Sequence, residues 1–462
     1  MPYQEKKLDR TVFRAYDIRG VINEQFDEQA FYTIGRAISC RLHAIERHEI
    51  FIARDGRLTS ESLGKALTQG LLDSGIDVRD LGTVATPVMY YATHEHGIDC
   101  GLMVTGSHNP SDYNGIKMVL AGKSLVGTDI DILYDLVQTG EFINARGSYR
   151  SLNIIDDYMN RVIRNIALNR PLKVVVDCGN GIAGPIIPEV ISRLGCEVVP
   201  LYCDVDGRFP NHHPDPTVEE NLVDLQKAVA YHQADIGLAF DGDADRLGVV
   251  TNQGKIIWPD RLMMYFSQAL LKKCPGATIV YDVKCSSHLG QVIESAGGVA
   301  TMCPTGHSIV KNVMKQSNAA LAGEMSGHLF FKDGWYGFDD ALYSACRLLE
   351  IISQSALSVD EQFLAIPDSV NTPEIKIAID DALKFGFMQR FCAQAQFDLA
   401  KIIRIDGLRA EFSEGWGLVR ASNTTPCLVA RFEAFDKASL ESIQRLFREQ
   451  LLSIDYALDI PF

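Results

Sequence analysis

The sequence predicts an α/β protein: three related α/β modules with mixed sheets and a smaller C-terminal α+β domain, arranged around a central cleft. Three observations carry this. Short apolar runs alternate with longer segments of helical period, the pattern of strands joined by helices. Three runs pass into polar loops in the same way: GLMVTGSHNP (101–110), GLAFDGDADR (237–246) and AALAGEMSGH (319–328). Ligands collect beyond the carboxyl ends of strands in open α/β sheets, so three such ends imply three modules turned towards one cleft. Past 366–373, where Pro367 and Pro373 bracket small polar residues, the texture changes. Helical patterns at 378–399 and 435–453 then flank shorter strand-like pieces, which suits α+β.

The expected strands, in order, are HEIFIA (48–53), CGLMV (100–104), KVVVDC (173–178), EVVPLY (197–202), DIGLAF (235–240), RLGVVT (246–251) and ATIVYDV (277–283). Helical candidates include 60–75 and 187–195, the second stopped by Gly195. Seams are expected near 145–153, 252–260 and 366–373. They divide the chain into domains 1–150, 151–254, 255–366 and 367–462.

At 462 residues, 47% hydrophobic and 22% charged, the chain has the composition of a multidomain globular protein. Its 44 basic and 59 acidic residues leave a net charge of −15. That balance argues against a nucleic-acid partner, which needs a basic footprint, and against an anionic membrane surface. Any anionic ligand must meet locally concentrated positive charge. The 11 cysteines include no C-x-x-C pair, which suits reduced thiols in the cytoplasm. No apolar leader and no apolar run of about 18 residues is present, so neither a secretory signal nor a membrane span is expected.

Five polar loops carry the candidate chemistry. Ser107 and His108 sit on a turn shaped by Gly106 and Pro110, a hydroxyl nucleophile beside an imidazole. Asp241, Asp243 and Asp245 alternate along the chain, and an extended segment would project them from one side. Close carboxylates repel unless a cation lies between them, and oxygen-only ligation favours Mg²⁺, Ca²⁺ or Mn²⁺. An EF-hand is disfavoured, because Arg246 and Asn252 stand where it needs Gly and Glu. A solvated acidic turn is the plain alternative. EGWGLVRASNTTPC (414–427) sets Arg420 before Ser422, Asn423 and Thr424, a guanidinium with hydroxyls and an amide that suits a phosphate. It also reads as a polar turn closed by Pro426. TGHSIVK (305–311) offers His307, and GEMSGHLFF (323–331) offers Glu324, Ser326 and His328. RAYDIRG (14–20) adds Tyr16 and Arg19. KVVVDCGNGIAG (173–184) matches the dinucleotide fingerprint G-x-G-x-x-G, but Pro185 and Pro188 crowd its helix start. A tight strand-to-helix turn explains those glycines better.

Taken in order, the five loops resemble those of the α-D-phosphohexomutases, most closely the bacterial phosphomannomutase/phosphoglucomutase branch, over essentially the whole chain. The resemblance implies four domains around a deep cleft, the last a mobile cap. It makes 1–150 the phosphoserine domain, 151–254 the metal-binding domain, 255–366 the sugar-recognition domain and 367–462 the phosphate-binding cap. Ser107 then corresponds to the serine that carries phosphate and is also a metal ligand. Asp241, Asp243 and Asp245 correspond to the other Mg²⁺ ligands. Glu324, Ser326 and His328 resemble the sugar-recognition loop. Arg420, Ser422, Asn423 and Thr424 resemble the phosphate clamp. Tyr16, Arg19, His108, Lys117, Arg246, Lys284 and His307 fall where the family lines its cleft with donors and proton-transfer groups. Lys117 is the first choice for accepting the sugar hydroxyl proton and His307 the second; a lysine can do so only with a depressed pKa. Met325 matches the phosphomannomutase/phosphoglucomutase type rather than the glucosamine-phosphate type.

The implied reaction is reversible transfer of a phosphoryl group between the 6- and 1-positions of a hexose, mannose or glucose, through a hexose 1,6-bisphosphate. The implied partner is a small phosphosugar, with no obligate protein partner. The alternatives are a phosphoglucosamine mutase, a metal-dependent phosphoserine hydrolase, and a sugar-phosphate-binding regulator without catalysis. A nicotinamide or flavin enzyme on the fingerprint is a more distant one.

Overall fold

The computed structural model describes residues 3–423 and 425–462. Its first three sheets repeat one plan. In the first, parallel strands Asp77–Thr83, Glu49–Arg54 and Gly101–Val104 lie side by side, and Tyr113–Leu120 pairs antiparallel to the last. In the second, Glu197–Leu201, Lys173–Asp177 and Ile236–Phe240 are parallel, with Leu247–Thr251 antiparallel. In the third, Val299–Cys303, Thr278–Asp282 and Leu321–Gly323 are parallel, with Leu329–Phe331 antiparallel.

Helices supply the crossovers that parallel pairing requires. They are Ser60–Leu72 and Thr86–Glu95, then Ile187–Arg193 and Val223–His232, then Ser287–Ser295 and His307–Ser317. The three polar loops singled out in the sequence occupy equivalent positions. Each joins the third parallel strand to the antiparallel one. The internal repeat is therefore topological as well as textural.

Ile236–Phe240 and Leu247–Thr251 are buried at every residue, which explains their unbroken apolar sequence. One apolar core runs through all three modules, from Phe51 and Met89 through Val176 and Leu238 to Leu349 and Ile366. The C-terminal sheet is antiparallel throughout and packs its own core, including Phe387, Phe391, Phe432 and Phe447, against helices Lys384–Gln394 and Lys437–Ile454.

One sequence expectation needs correction. The helical pattern at 378–399 begins too early, because Ile375–Ala378 is a strand paired with Cys427–Ala434. The helix starts only at Lys384, after a turn in which Asp380 accepts from the Ala382 N–H. Within the seam expected at 252–260, residues 252–255 form the turn of a hairpin between Leu247–Thr251 and Ile256–Ile257.

The last domain is anchored to the third by buried arginines. Arg409 is fully buried and donates to the carbonyls of Val283 and Cys285, both at 2.7 Å, with its guanidinium 3.8 Å from the Trp416 ring. Ser286 donates to Glu433 at 2.9 Å across the same boundary. This fixes the loop that carries Lys284.

Candidate active site

Ser107 sits in the left-handed region at φ 50°, a conformation that costs a non-glycine residue energy and persists only where neighbours impose it. Arg57 is a principal constraint. Its buried guanidinium lies beneath the turn and donates to the carbonyls of Ser107 (2.8 Å), Asn109 (2.5 Å), Pro110 (2.6 Å) and Tyr113 (3.1 Å). Asp55 accepts from the Gly106 N–H at 3.2 Å. A side chain at Gly106 would strike Arg57 at 2.5 Å. Arg57 escaped the sequence reading because DGR (55–57) looks like a surface turn.

The held hydroxyl faces the aspartates: Ser107 Oγ lies 3.1 Å from Asp241 Oδ2 and 3.2 Å from His108 Nδ1. Gly242 allows this approach, since a Cβ there would stand 2.5 Å from the Ser107 carbonyl. Asp241, Asp243 and Asp245 are fully buried, and their ligand atoms lie within 4.8 Å of one another. Their convergence comes from a tight turn, with Ala244 at φ 64°, and not from the extended segment the spacing suggested. The turn is closed by the Asp245 and Arg246 N–H groups donating to Asp241 Oδ1 at 3.0 and 3.1 Å.

Lys117 reaches in from the antiparallel strand of the first module and bonds Asp243 at 2.7 Å and also Asp245. Thr86 donates to Asp243 at 2.6 Å. Burial and the two other carboxylates push the Asp241 pKa well up. Burial acts the same way on Asp243, but contact with Lys117 and Thr86 outweighs it and holds that carboxyl down. Oδ1 of Asp243 and Oδ1 of Asp245 are buried with no hydrogen-bond partner. Unpartnered buried carboxylate oxygens on an all-oxygen trio fit a hard divalent cation. Although burial works to lower it, the same aspartates raise the Lys117 pKa above the usual ammonium range.

The third module closes the inner site. Leu247 N–H donates to the Gly327 carbonyl at 3.1 Å, and Arg246 Nε lies 3.1 Å from His328 Nε2. His328 Nδ1 stands 3.2 Å from Asp339 and 3.5 Å from Asp245. These three residues form a second buried group with metal-ligand geometry, which the sequence did not reveal. The His307 ring packs between Tyr16 (5.1 Å, edge to face) and His328 (5.3 Å, stacked). Burial and nearby Lys311 hold its imidazole well below the usual histidine range, and its buried Nε2 has no partner. His108 is likewise held neutral by desolvation and by the Arg246 and Arg19 guanidinium groups. Arg19 is tied to Asp17 at 2.6 Å and reaches Asn109 at 3.4 Å.

The remaining candidates belong to the first, third and last domains. Glu324 accepts from the Gly306 N–H at 2.6 Å, beside Tyr16 and His307. Burial, aided by the Asp17 and Glu324 charges, pushes the Tyr16 phenol up to about 12. Lys284 bonds Glu374 of the last domain at 2.5 Å. Arg420 bonds Asp406 at 2.8 Å, and Asp406 accepts from the Thr305 N–H at 3.0 Å, joining the third and last domains. Ser422 Oγ lies 2.7 Å from Thr425 Oγ1, and Ser326 and Asn423 are half-buried in their loops. Thr424, expected in the clamp, lies outside the described residues.

The fingerprint glycines are used up by packing. A Cβ at Gly181 would lie 2.9 Å from the Gly242 carbonyl, and one at Gly184 only 1.8 Å from that of Cys203. Protein fills the space a pyrophosphate would need.

Four family models of phosphoglucomutase/phosphomannomutase match in sequence: the α/β/α domains I, II and III over residues 10–144, 156–254 and 258–369, and the C-terminal domain over 374–450. The chain belongs to the phosphoglucomutase/phosphomannomutase family. A phosphomannomutase/phosphoglucomutase of Pseudomonas putida is 50% identical over 455 residues, covering 98% of each chain. A phosphoglucomutase of Neisseria meningitidis is 47% identical over 445 residues, covering 96% of each. The solved structure of a phosphoglucomutase/phosphomannomutase family protein from Burkholderia thailandensis matches with TM-score 0.93 at 45% identity, covering 98% of this chain and 100% of the other. The phosphoglucomutase/phosphomannomutase domain I segment contains Ser107 and Lys117, and the domain II segment the three aspartates. The domain III segment contains Lys284, His307 and Glu324–His328, and the C-terminal segment Arg420. No described helix is long and apolar enough to cross a membrane.

Proposed function

We propose that this chain is a phosphomannomutase/phosphoglucomutase. It interconverts hexose 6-phosphate and α-hexose 1-phosphate, of mannose, glucose or both, through a phosphorylated Ser107 and a hexose 1,6-bisphosphate. The observation that carries this reading is Ser107 Oγ lying 3.1 Å from Asp241 inside a buried aspartate trio. Asp241, Asp243 and Asp245, with Ser107, would hold Mg²⁺, which when bound neutralises charge that repels an incoming sugar phosphate.

The phosphoryl group of Ser107 passes to the free sugar hydroxyl: a P–O bond forms at the sugar, the P–O bond to Ser107 breaks, and the hydroxyl proton leaves. The bisphosphate turns over in the cleft, and its other phosphate returns to Ser107. Arg19, Lys117 and Arg246 supply fixed positive charge about the transferring group. His307 takes the proton in place of Lys117, since it is the neutral base with an unpartnered nitrogen. His108 shares the cleft as a neutral imidazole. Tyr16, Lys284, Glu324, Ser326 and His328 receive the sugar. Arg420, Ser422, Asn423 and Thr424 grip the phosphate that is not reacting. That clamp must accept either end of the sugar.

The test is a mutase assay on both sugars, primed with glucose 1,6-bisphosphate, with peptide mapping for phosphate on Ser107. Inorganic phosphate as the main product would favour a hydrolase. Binding without turnover would favour a regulator.

Two predictions follow from single residues. A base with a depressed pKa loses function only when pH falls through that lowered value. Turnover should therefore hold steady through the ordinary histidine range and fall below it, and His307→Asn should lower turnover by about 10²-fold and erase that acid limb. An acid limb unchanged in His307→Asn would exclude this base. Arg57→Ala should lower kcat by about 10- to 100-fold with little change in KM, because the nucleophile loses its alignment. Arg57→Lys should not restore it, since an ammonium has three donors for four carbonyls and lacks the planar fork of a guanidinium.

A further inference from the structure

Cys178 and Cys203 lie at the carboxyl ends of the neighbouring parallel strands Lys173–Asp177 and Glu197–Leu201. Their Sγ atoms are 3.6 Å apart. Cys178 is fully buried, whereas Cys203 is half-buried. Cys203 is thus the more accessible residue of the pair. The difference in burial divides them into an attacking sulfur, Cys203, and a resolving one, Cys178.

The segments bearing these thiols lean on the aspartate turn. Ile182 N–H donates to the Gly242 carbonyl at 3.1 Å, and Asn180 N–H to that of Tyr202 at 2.8 Å. Gly184 is pressed so closely on Cys203 that a Cβ would stand 1.8 Å from its carbonyl. A disulfide needs sulfurs about 2.05 Å apart, so the pair must close by about 1.5 Å, through side-chain rotation together with movement of the segments that carry it. With Gly184 already in contact, that movement passes through 178–182 to Gly242, on which the Ser107 carbonyl rests.

We propose that Cys178 and Cys203 form a thiol–disulfide site, addressed by low-molecular-weight disulfides and coupled through Gly242 to the Ser107–aspartate centre. Cys203 thiolate attacks the reagent disulfide RSSR, forming a mixed disulfide and releasing one thiol. Cys178 then attacks the Cys203 sulfur, forming the protein disulfide and releasing the second thiol. Two protein thiols are oxidised, one RSSR is reduced to two RSH, and the protons of Cys203 and Cys178 go to the departing thiolates.

The experiment treats the full chain with glutathione disulfide, digests it without reduction, and maps cross-linked peptides by mass. A peptide pair joining Cys178 to Cys203, absent in Cys203→Ala, is expected. Recovery of two free thiols after the protein is returned to dithiothreitol completes that arm. Cys178→Ala should stop at a stable glutathione adduct on Cys203. Both thiols remaining free, or a glutathione adduct on Cys203 of the native chain with no cross-link, would overturn the site. This peptide arm does not depend on the mutase reading. The coupling does rest on that reading: oxidised enzyme should turn over about tenfold more slowly, with full recovery on reduction. A cross-linked enzyme of unchanged activity would overturn the coupling while leaving the disulfide and the mutase reading standing.

Discussion

Ser107→Ala is expected to abolish net conversion of hexose 6-phosphate to hexose 1-phosphate, by about 10⁴-fold or more. The methyl group cannot carry phosphate between the two ends of the sugar. Thr105 is the nearest rival by sequence, but its Oγ1 is spent accepting from the Ser107 N–H at 2.8 Å and contacting Asp243 at 3.2 Å. The turn should survive the change, because its constraints are main-chain carbonyls held by Arg57 and are independent of the serine side chain. A folded variant with unimpaired binding of glucose 1-phosphate and no mutase turnover is the expected outcome. Near-normal turnover would end the covalent scheme.

Metal removal should have the second largest effect. Three buried carboxylates face one ammonium, that of Lys117, and two of their oxygens find no hydrogen-bond donor. The dianion of a sugar phosphate must approach this negative centre. Chelation by EDTA should lower turnover by about 10²- to 10³-fold, and Mg²⁺ should restore it. Asp243→Asn should not recover with Mg²⁺ at concentrations that saturate the native chain. That variant also leaves Lys117 with a single carboxylate partner, so a melting experiment should accompany the assay. Full activity in metal-free protein would remove the role given to the aspartates.

The strand–helix alternation, the three related loops and the change of texture near residue 366 were legible because each is a local pattern. Apolar period and loop polarity are written in consecutive residues. What stayed hidden depends on distant pairing. Asp339 lies beside Asp340, which caps a helix by accepting from the Tyr343 N–H, so FDD (338–340) reads as a helix start. Only the folded chain shows that Asp339 is spared for Lys311 and His328. Arg57 and Asp406 were missed for the same reason: their partners are some 50 and 100 residues away, as the spacing of Arg57 to Asn109 and Thr305 to Asp406 records. The pairing of Lys117 was hidden in the same way, because the carboxylates it bonds lie 126 and 128 positions further on. The glycine fingerprint is ambiguous in sequence because close packing of two loops and cradling of a pyrophosphate both need a bare Cα; only the prolines beside it pointed to packing.

Arg409 holds the last domain by gripping the carbonyls of Val283 and Cys285, which every amino acid carries. Side chains at those two positions can drift over generations without loosening the joint. Loss of the guanidinium, in contrast, is hard to offset from across the boundary, because among the described residues its hydrogen bonds there go to main-chain carbonyls.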